Sequence, residues 1–74
     1  MTDFDHILLF KTDIKTVSDK DTIALLLNAD NSIEQWSIDQ DDEDCVLRIV
    51  THTLQHHQII NVITGSGYAC CELT

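Results

Sequence analysis

Apolar and polar residues alternate along this chain in two different rhythms, and the changes of rhythm predict its elements. His6-Ile7-Leu8-Leu9-Phe10-Lys11 is a short apolar run that fits a buried central strand, followed by a polar stretch, Thr12 to Val17, that fits a loop. Ser18 reads as a helix N-cap. Asp21, three residues later, can reach back to it, and Asp19 and Asp21 suit the positive end of the helix dipole. Ile23, Leu26 and Leu27 follow at i, i+3 and i+4, which gives the helix one apolar face. Asn28-Ala29-Asp30-Asn31-Ser32 ends it.

From Glu34 to Asp39 the period falls to two residues: Trp36 and Ile38 share one side, Gln35 and Ser37 the other, as in a strand with one wet face. Gln40-Asp41-Asp42-Glu43-Asp44 is a turn, and Cys45 to Thr51, rich in β-branched residues, is the returning strand of a hairpin. Thr53 can cap a second helix, in which Ile59, Val62 and Ile63 repeat the helical spacing and Ile60 broadens the stripe. Gly65-Ser66-Gly67 stops that helix, and Tyr68 to Leu73 is long enough only for a final strand. The order strand, helix, strand, strand, helix, strand predicts a single α+β domain over residues 1–74. Its expected architecture is a ferredoxin-like βαββαβ sandwich, a four-stranded antiparallel sheet with two helices on one face. No repeat of solenoid period competes with it.

Composition narrows the class. Seventy-four residues hold one core, and a hydrophobic fraction of 43% with two glycines and no proline points to an ordered chain. A formal net charge of −9 repels phosphate backbones and anionic lipid heads, so neither nucleic acid nor a membrane surface is an expected partner. The same charge favours basic protein surfaces or cations, and it also serves solubility. Met1-Thr2-Asp3-Phe4-Asp5 has no basic region and the apolar runs are only a few residues long. A cytoplasmic protein without signal peptide or membrane span is the expectation. Cys45, Cys70 and Cys71 are an odd count, and adjacent cysteines rarely bridge one another, so reduced thiols are expected.

Ile33, Trp36 and Ile38 follow a Val-x-x-Val-x-Val strand pattern, and Ile59-Ile60-Asn61-Val62-Ile63 with Gly67-Tyr68 looks like a closing helix and Gly-Tyr turn. On these segments, roughly from Ile7 to Leu73, the chain resembles the heavy-metal-associated domains of copper-chaperone type. Ile14 stands where that family often has the methionine of its Gly-Met-x-Cys-x-x-Cys loop. The resemblance implies the ferredoxin-like fold and a Cu(I) or Zn(II) ion carried on two loop thiolates. Counting back from Ile33, however, the family's cysteines fall on Thr16 and Asp19, and its glycine on Asp13. Soft metals need thiolate or imidazole ligands, so the inherited site is degenerate. What the resemblance leaves is the surface around that loop, Asp13, Ile14, Thr16, Asp19 and Tyr68, which in such chaperones docks a partner domain.

The family topology also predicts two poles. One gathers Asp13, Asp19, Asp21, Asp41, Asp42, Glu43 and Asp44, a carboxylate set suited to hard cations but lacking the glycine and terminal glutamate of an EF-hand. The other is expected to hold His6, His52, His56, His57 and Cys71. His52-x-x-x-His56 has a spacing that metal sites use, so His6, His52, His56 and Cys71 form the candidate relocated site for zinc, copper or nickel. Cys70 and Cys71 must face opposite sides of a regular strand, and Cys45 is read as a small apolar strand residue. No phosphate loop or nucleophile motif supports catalysis. The sequence thus predicts a non-enzymatic binding module without a resident cofactor, acting through protein contacts, with a homodimer through a sheet face or edge as one form of them. The alternative is a metal carrier or sensor using the histidine pole.

Overall fold

The computed structural model describes residues 6–73. Its elements are β1 (Ile7–Thr12), α1 (Val17–Asn28), β2 (Gln35–Asp39), β3 (Val46–Val50), α2 (His56–Gly65) and β4 (Cys70–Glu72). All neighbouring strands are antiparallel, in the order β2-β3-β1-β4, which is the ferredoxin-like sheet. Alternation along the strands sends Leu8, Phe10, Leu47 and Ile49 to one face, where they close a core with Ile14, Ile23 and Leu27 and with Ile59 and Ile63. Both helices therefore cover the same face. Trp36 and Ile38 pack against this core from the edge strand, and the Trp36 indole N–H donates to Asn28 Oδ1 at 2.8 Å, tying β2 to the end of α1.

Both helices begin at a residue other than the one the sequence reading favoured. α1 is capped by Thr16, not Ser18: the Asp19 N–H donates to Thr16 Oγ1 at 3.0 Å and the Thr16 N–H to Asp19 Oδ2 at 3.3 Å. Two overlapping boxes, Thr16 to Asp19 and Ser18 to Asp21, compete here, and the earlier one wins because Tyr68 adds a third bond to Asp19. α2 starts after Gln55, whose N–H donates to Gln58 Oε1 at 2.8 Å, not after Thr53. The threonine that organises that entry is Thr51. Its buried hydroxyl donates to the Ser32 carbonyl at 2.6 Å and accepts the N–H groups of Thr53 and Leu54, both at 3.3 Å.

Thr12 plays the matching part at the end of β1, donating to the Cys45 carbonyl at 2.7 Å and accepting the Ile14 N–H at 3.3 Å. Cys45 is consequently a turn residue, not the first residue of β3, and it is held at φ 44, a left-handed conformation uncommon outside glycine. Gly67, at φ +94, ends α2 where the chain must reverse: its N–H donates to the Thr64 carbonyl at 3.0 Å. In the helices Ile23 and Leu27, and Ile59 and Ile63, are buried, whereas Leu26 and Val62 lie at the margin of each stripe and are 37% and 40% exposed.

Candidate functional site

The positions that a thiolate loop would occupy form a hydrogen-bonded clasp. Thr16 and Asp19, three residues apart at a helix start, are the two halves of the capping box, so the helix N-terminus satisfies its own donors. The Tyr68 hydroxyl donates to Asp19 Oδ1 at 3.0 Å from the far side of the loop. Asp13 Oδ1 accepts the Ala69 N–H at 2.8 Å, and Gln40 Nε2 donates to the Thr16 carbonyl at 2.7 Å. Ile14 is fully buried beneath them. The structure thus brings Asp13, Ile14, Thr16, Asp19 and Tyr68 together, with Gln40 as a member that the sequence did not single out.

Electrostatics follow from these bonds. The Thr16 hydrogen bond holds the Asp19 carboxyl below its ordinary 3.8, helped by the bond from Tyr68. Desolvation, then the Asp19 carboxylate, pushes the Tyr68 phenol above its ordinary 10.0. The clasp therefore keeps Asp19 ionised and Tyr68 protonated, which is the pairing that the hydrogen bond needs. Other carboxylates of this pole are engaged locally: Asp39 and Asp42 accept the N–H of Asp41 and Asp44, and Asp44 pairs with Lys11 at 3.4 Å.

At the opposite pole the histidine set is dispersed. His6 and His52 stack, with ring centroids 3.6 Å apart, and His52 Nδ1 contacts the Glu34 carboxylate. The two ring planes are tilted by 34°. His56 lies over Phe10, centroids 5.4 Å apart, and faces Glu72 at 3.8 Å. Cys71 belongs elsewhere, which corrects the expectation that it joins the histidines. β4 is only three residues long and pairs with the C-terminal half of β1, so Cys71 lies opposite Lys11, toward the loop pole. Among the described residues no group of three or more His, Cys, Asp or Glu is arranged to hold a metal ion.

The cysteines are individually distinct. Cys45 is buried, Cys70 packs against the core, and Cys71 is exposed on the other side of the sheet. Burial pushes the Cys70 thiol up to about 11, which keeps it protonated and a poor nucleophile at neutral pH.

The surface with the most open chemistry is the sheet face that no helix among the described residues covers. Register aligns its residues in rows: Ile7, Val50 and Gln35 in one, Leu9, Arg48 and Ser37 in the next, then Val46 beside Asp39. Leu9 is 39% exposed, and Ile7, Val46 and Val50 are half-buried. Arg48 and Ser37 border two shallow clefts, one running toward Leu9, Val46 and Asp39, the other toward Val50 and Trp36. Among the described residues the Arg48 guanidinium has no ion-pair or hydrogen-bond partner. Sequence reasoning missed Arg48, because one arginine in a strand is an ordinary wet position until register sets it between Leu9 and Ser37. No helix among the described residues is long and apolar enough to cross a membrane. No family model, curated protein or solved structure matches this chain.

Proposed function

We propose that this chain is a small non-enzymatic binding module that works in the cytoplasm by docking another polypeptide on the open face of its sheet. One observation carries the reading: among the described residues, the strip of Ile7, Leu9, Val46 and Val50 has no helix over it and surrounds an arginine without an ion-pair partner. Arginine flanked by apolar side chains is the arrangement that anchors protein interfaces, since the planar guanidinium binds a carboxylate in two places while its surroundings shed water. The partner surface suited to this face has an apolar centre and presents a carboxylate to Arg48.

The resemblance to heavy-metal-associated domains fits the same reading. With Thr16 and Asp19 spent on capping, the loop supplies a rigid edge instead of a soft-metal ligand pair. Docking then remains as the activity that such a scaffold supports without its ion.

A photo-crosslinking amino acid placed at position 9, compared with one at Leu25, tests the proposal in cells. Leu25 is the control because it is 77% exposed on a helix, away from the sheet. A discrete adduct from position 9 and none from position 25 is the expected result. Adducts only from position 25, or none from either, contradict a docking role for the open face.

A further inference from the structure

Resting on the reading of Arg48 and its surroundings as a docking surface, the geometry points to an extended peptide segment as the partner. The segment adds to the sheet along the edge of β2 and presents to Arg48 a carboxylate flanked by two apolar residues.

The backbone supplies the first half of the argument. The order β2-β3-β1-β4 leaves the sheet two edges, and they are built differently. Edge strands are commonly blunted by shortness, proline or lysine. β4 has only three residues, whereas β2 runs for five, Gln35–Asp39, with neither proline nor lysine. Hydrogen bonds set the direction in which the β2 backbone points. The Thr51 N–H donates to the His6 carbonyl at 2.9 Å, so Ile49 and Leu47, at alternate positions, turn their backbone groups toward β1, and Val50, Arg48 and Val46 turn theirs toward β2. The Glu34 N–H, which donates to the Val50 carbonyl at 2.9 Å, agrees. Gln35, Ser37 and Asp39 answer them in register. Trp36 and Ile38, between these, point their N–H and C=O groups away from β3, where no described residue bonds them.

Arg48 supplies the second half. It is the only arginine in a chain of net charge −9, and it has no carboxylate partner among the described residues. It stands one strand in from the β2 edge, opposite Ser37, which is small and exposed. With Gln35, Trp36 and Val50 the two residues line one of the shallow clefts. A residue on an added strand opposite Ser37 lies two strand spacings, about 10 Å, from Arg48. An arginine and a glutamate side chain, extended over the serine from either side, close that distance, and the guanidinium binds a carboxylate in two places.

Alternation then fixes the neighbours of that acid. The residues on either side of it turn to the inner face, beside Trp36 and Ile38, which pack against the core. Asp39, exposed two positions along from Ser37, repels a carboxylate placed opposite itself and so favours the register with the acid at Ser37. The recognised segment is therefore apolar-acidic-apolar. It runs antiparallel to β2, as every neighbouring pair in this sheet does, with main-chain bonds giving affinity and the carboxylate giving choice.

Selection of short random peptides, displayed on phage, against the immobilised protein tests the proposal. Selected peptides are expected to share the alternation, with Asp or Glu between Val, Ile, Leu or Phe. A synthetic peptide of the selected sequence is expected to bind at least about tenfold more weakly to Arg48→Glu and to Ser37→Glu, the second because it gives Arg48 a carboxylate from its own sheet. Ser37 is exposed, so that variant keeps the test decisive if circular dichroism shows that Arg48→Glu does not fold. Lysine in place of the central acid is expected to restore binding to Arg48→Glu, which a merely structural role of Arg48 does not produce. Methylation of the peptide nitrogens that face β2 is expected to abolish binding through the lost main-chain bonds. No enriched sequence, an enriched pattern of helical spacing, or binding indifferent to both variants and to methylation overturns the proposal. A selection that fails while position 9 still crosslinks removes the added strand and leaves the open face as a docking surface, so the two failures are distinguishable.

Discussion

Neighbouring residues of the same strands meet opposite fates on the two faces of this sheet. On the inner face Phe10, Leu47 and Ile49 are fully buried beneath Ile23, Leu27, Ile59 and Ile63. One residue along, Leu9 projects outward beside Arg48 and is 39% exposed among the described residues. Apolar side chains appear on both faces, but only the inner ones are closed by helices. Folding free energy in a domain this small must come from the inner face, which leaves the outer residues available for contact with another surface.

Truncating one residue on each face makes the contrast measurable. Phe10→Ala is expected to cost about 3–5 kcal/mol and leave a chain of 74 residues close to unfolding, whereas Leu9→Ala costs about 1 kcal/mol or less. Urea denaturation at low protein concentration compares them, and equal losses would erase the distinction between the faces. Next in size is Thr51→Val, which removes a buried hydroxyl bonded to Ser32 and to the N–H groups of Thr53 and Leu54. A loss of about 1–3 kcal/mol is expected from the unpaired groups left behind.

Smaller effects sharpen the loop pole. Thr16→Ala should cost about 1 kcal/mol through the lost cap. Because Asp19 titrates lower in the folded chain than in the unfolded one, its contribution is complete above the ordinary 3.8 and is lost as pH falls below that value through the folded pKa. The gap between acid melts of wild type and Thr16→Ala should therefore narrow at low pH without closing, because the Asp19 N–H bond to Thr16 Oγ1 does not titrate, and a constant gap would show that the cap does not act through the carboxylate. Alkylation at neutral pH reads the two sides of β4: Cys71 is expected to react first, with Cys70, held up at about 11, and buried Cys45 lagging well behind. Mass spectrometry of a partial reaction shows the order, and early labelling of Cys70 would place it outside the core.

Much of this contrast is legible in the amino-acid sequence. Alternation of Trp36 and Ile38 with Gln35 and Ser37 orients β2 correctly, and the apolar spacing in each helix finds the residues that close the core. Local capping is harder to read. Thr16 and Ser18 head overlapping boxes of the same form, and the choice depends on Tyr68, 49 residues from Asp19 in the chain. Thr53 loses to a turn organised by buried Thr51, whose role rests on a carbonyl 19 residues away. Cys71 is misplaced because a three-residue β4 shifts where the strand meets β1. Arg48 gains its meaning only from register: the chain as a whole is strongly acidic, and its net charge favours basic partners, while the open face holds an arginine with no carboxylate partner among the described residues.

Photo-crosslinking in cells from position 9 on the open face, scored beside position 25 on the exposed helix, tests the open face as the working surface most directly. A discrete adduct from position 9 and none from position 25 is predicted. Adducts only from position 25, or none from either, would contradict the assignment of that face to docking.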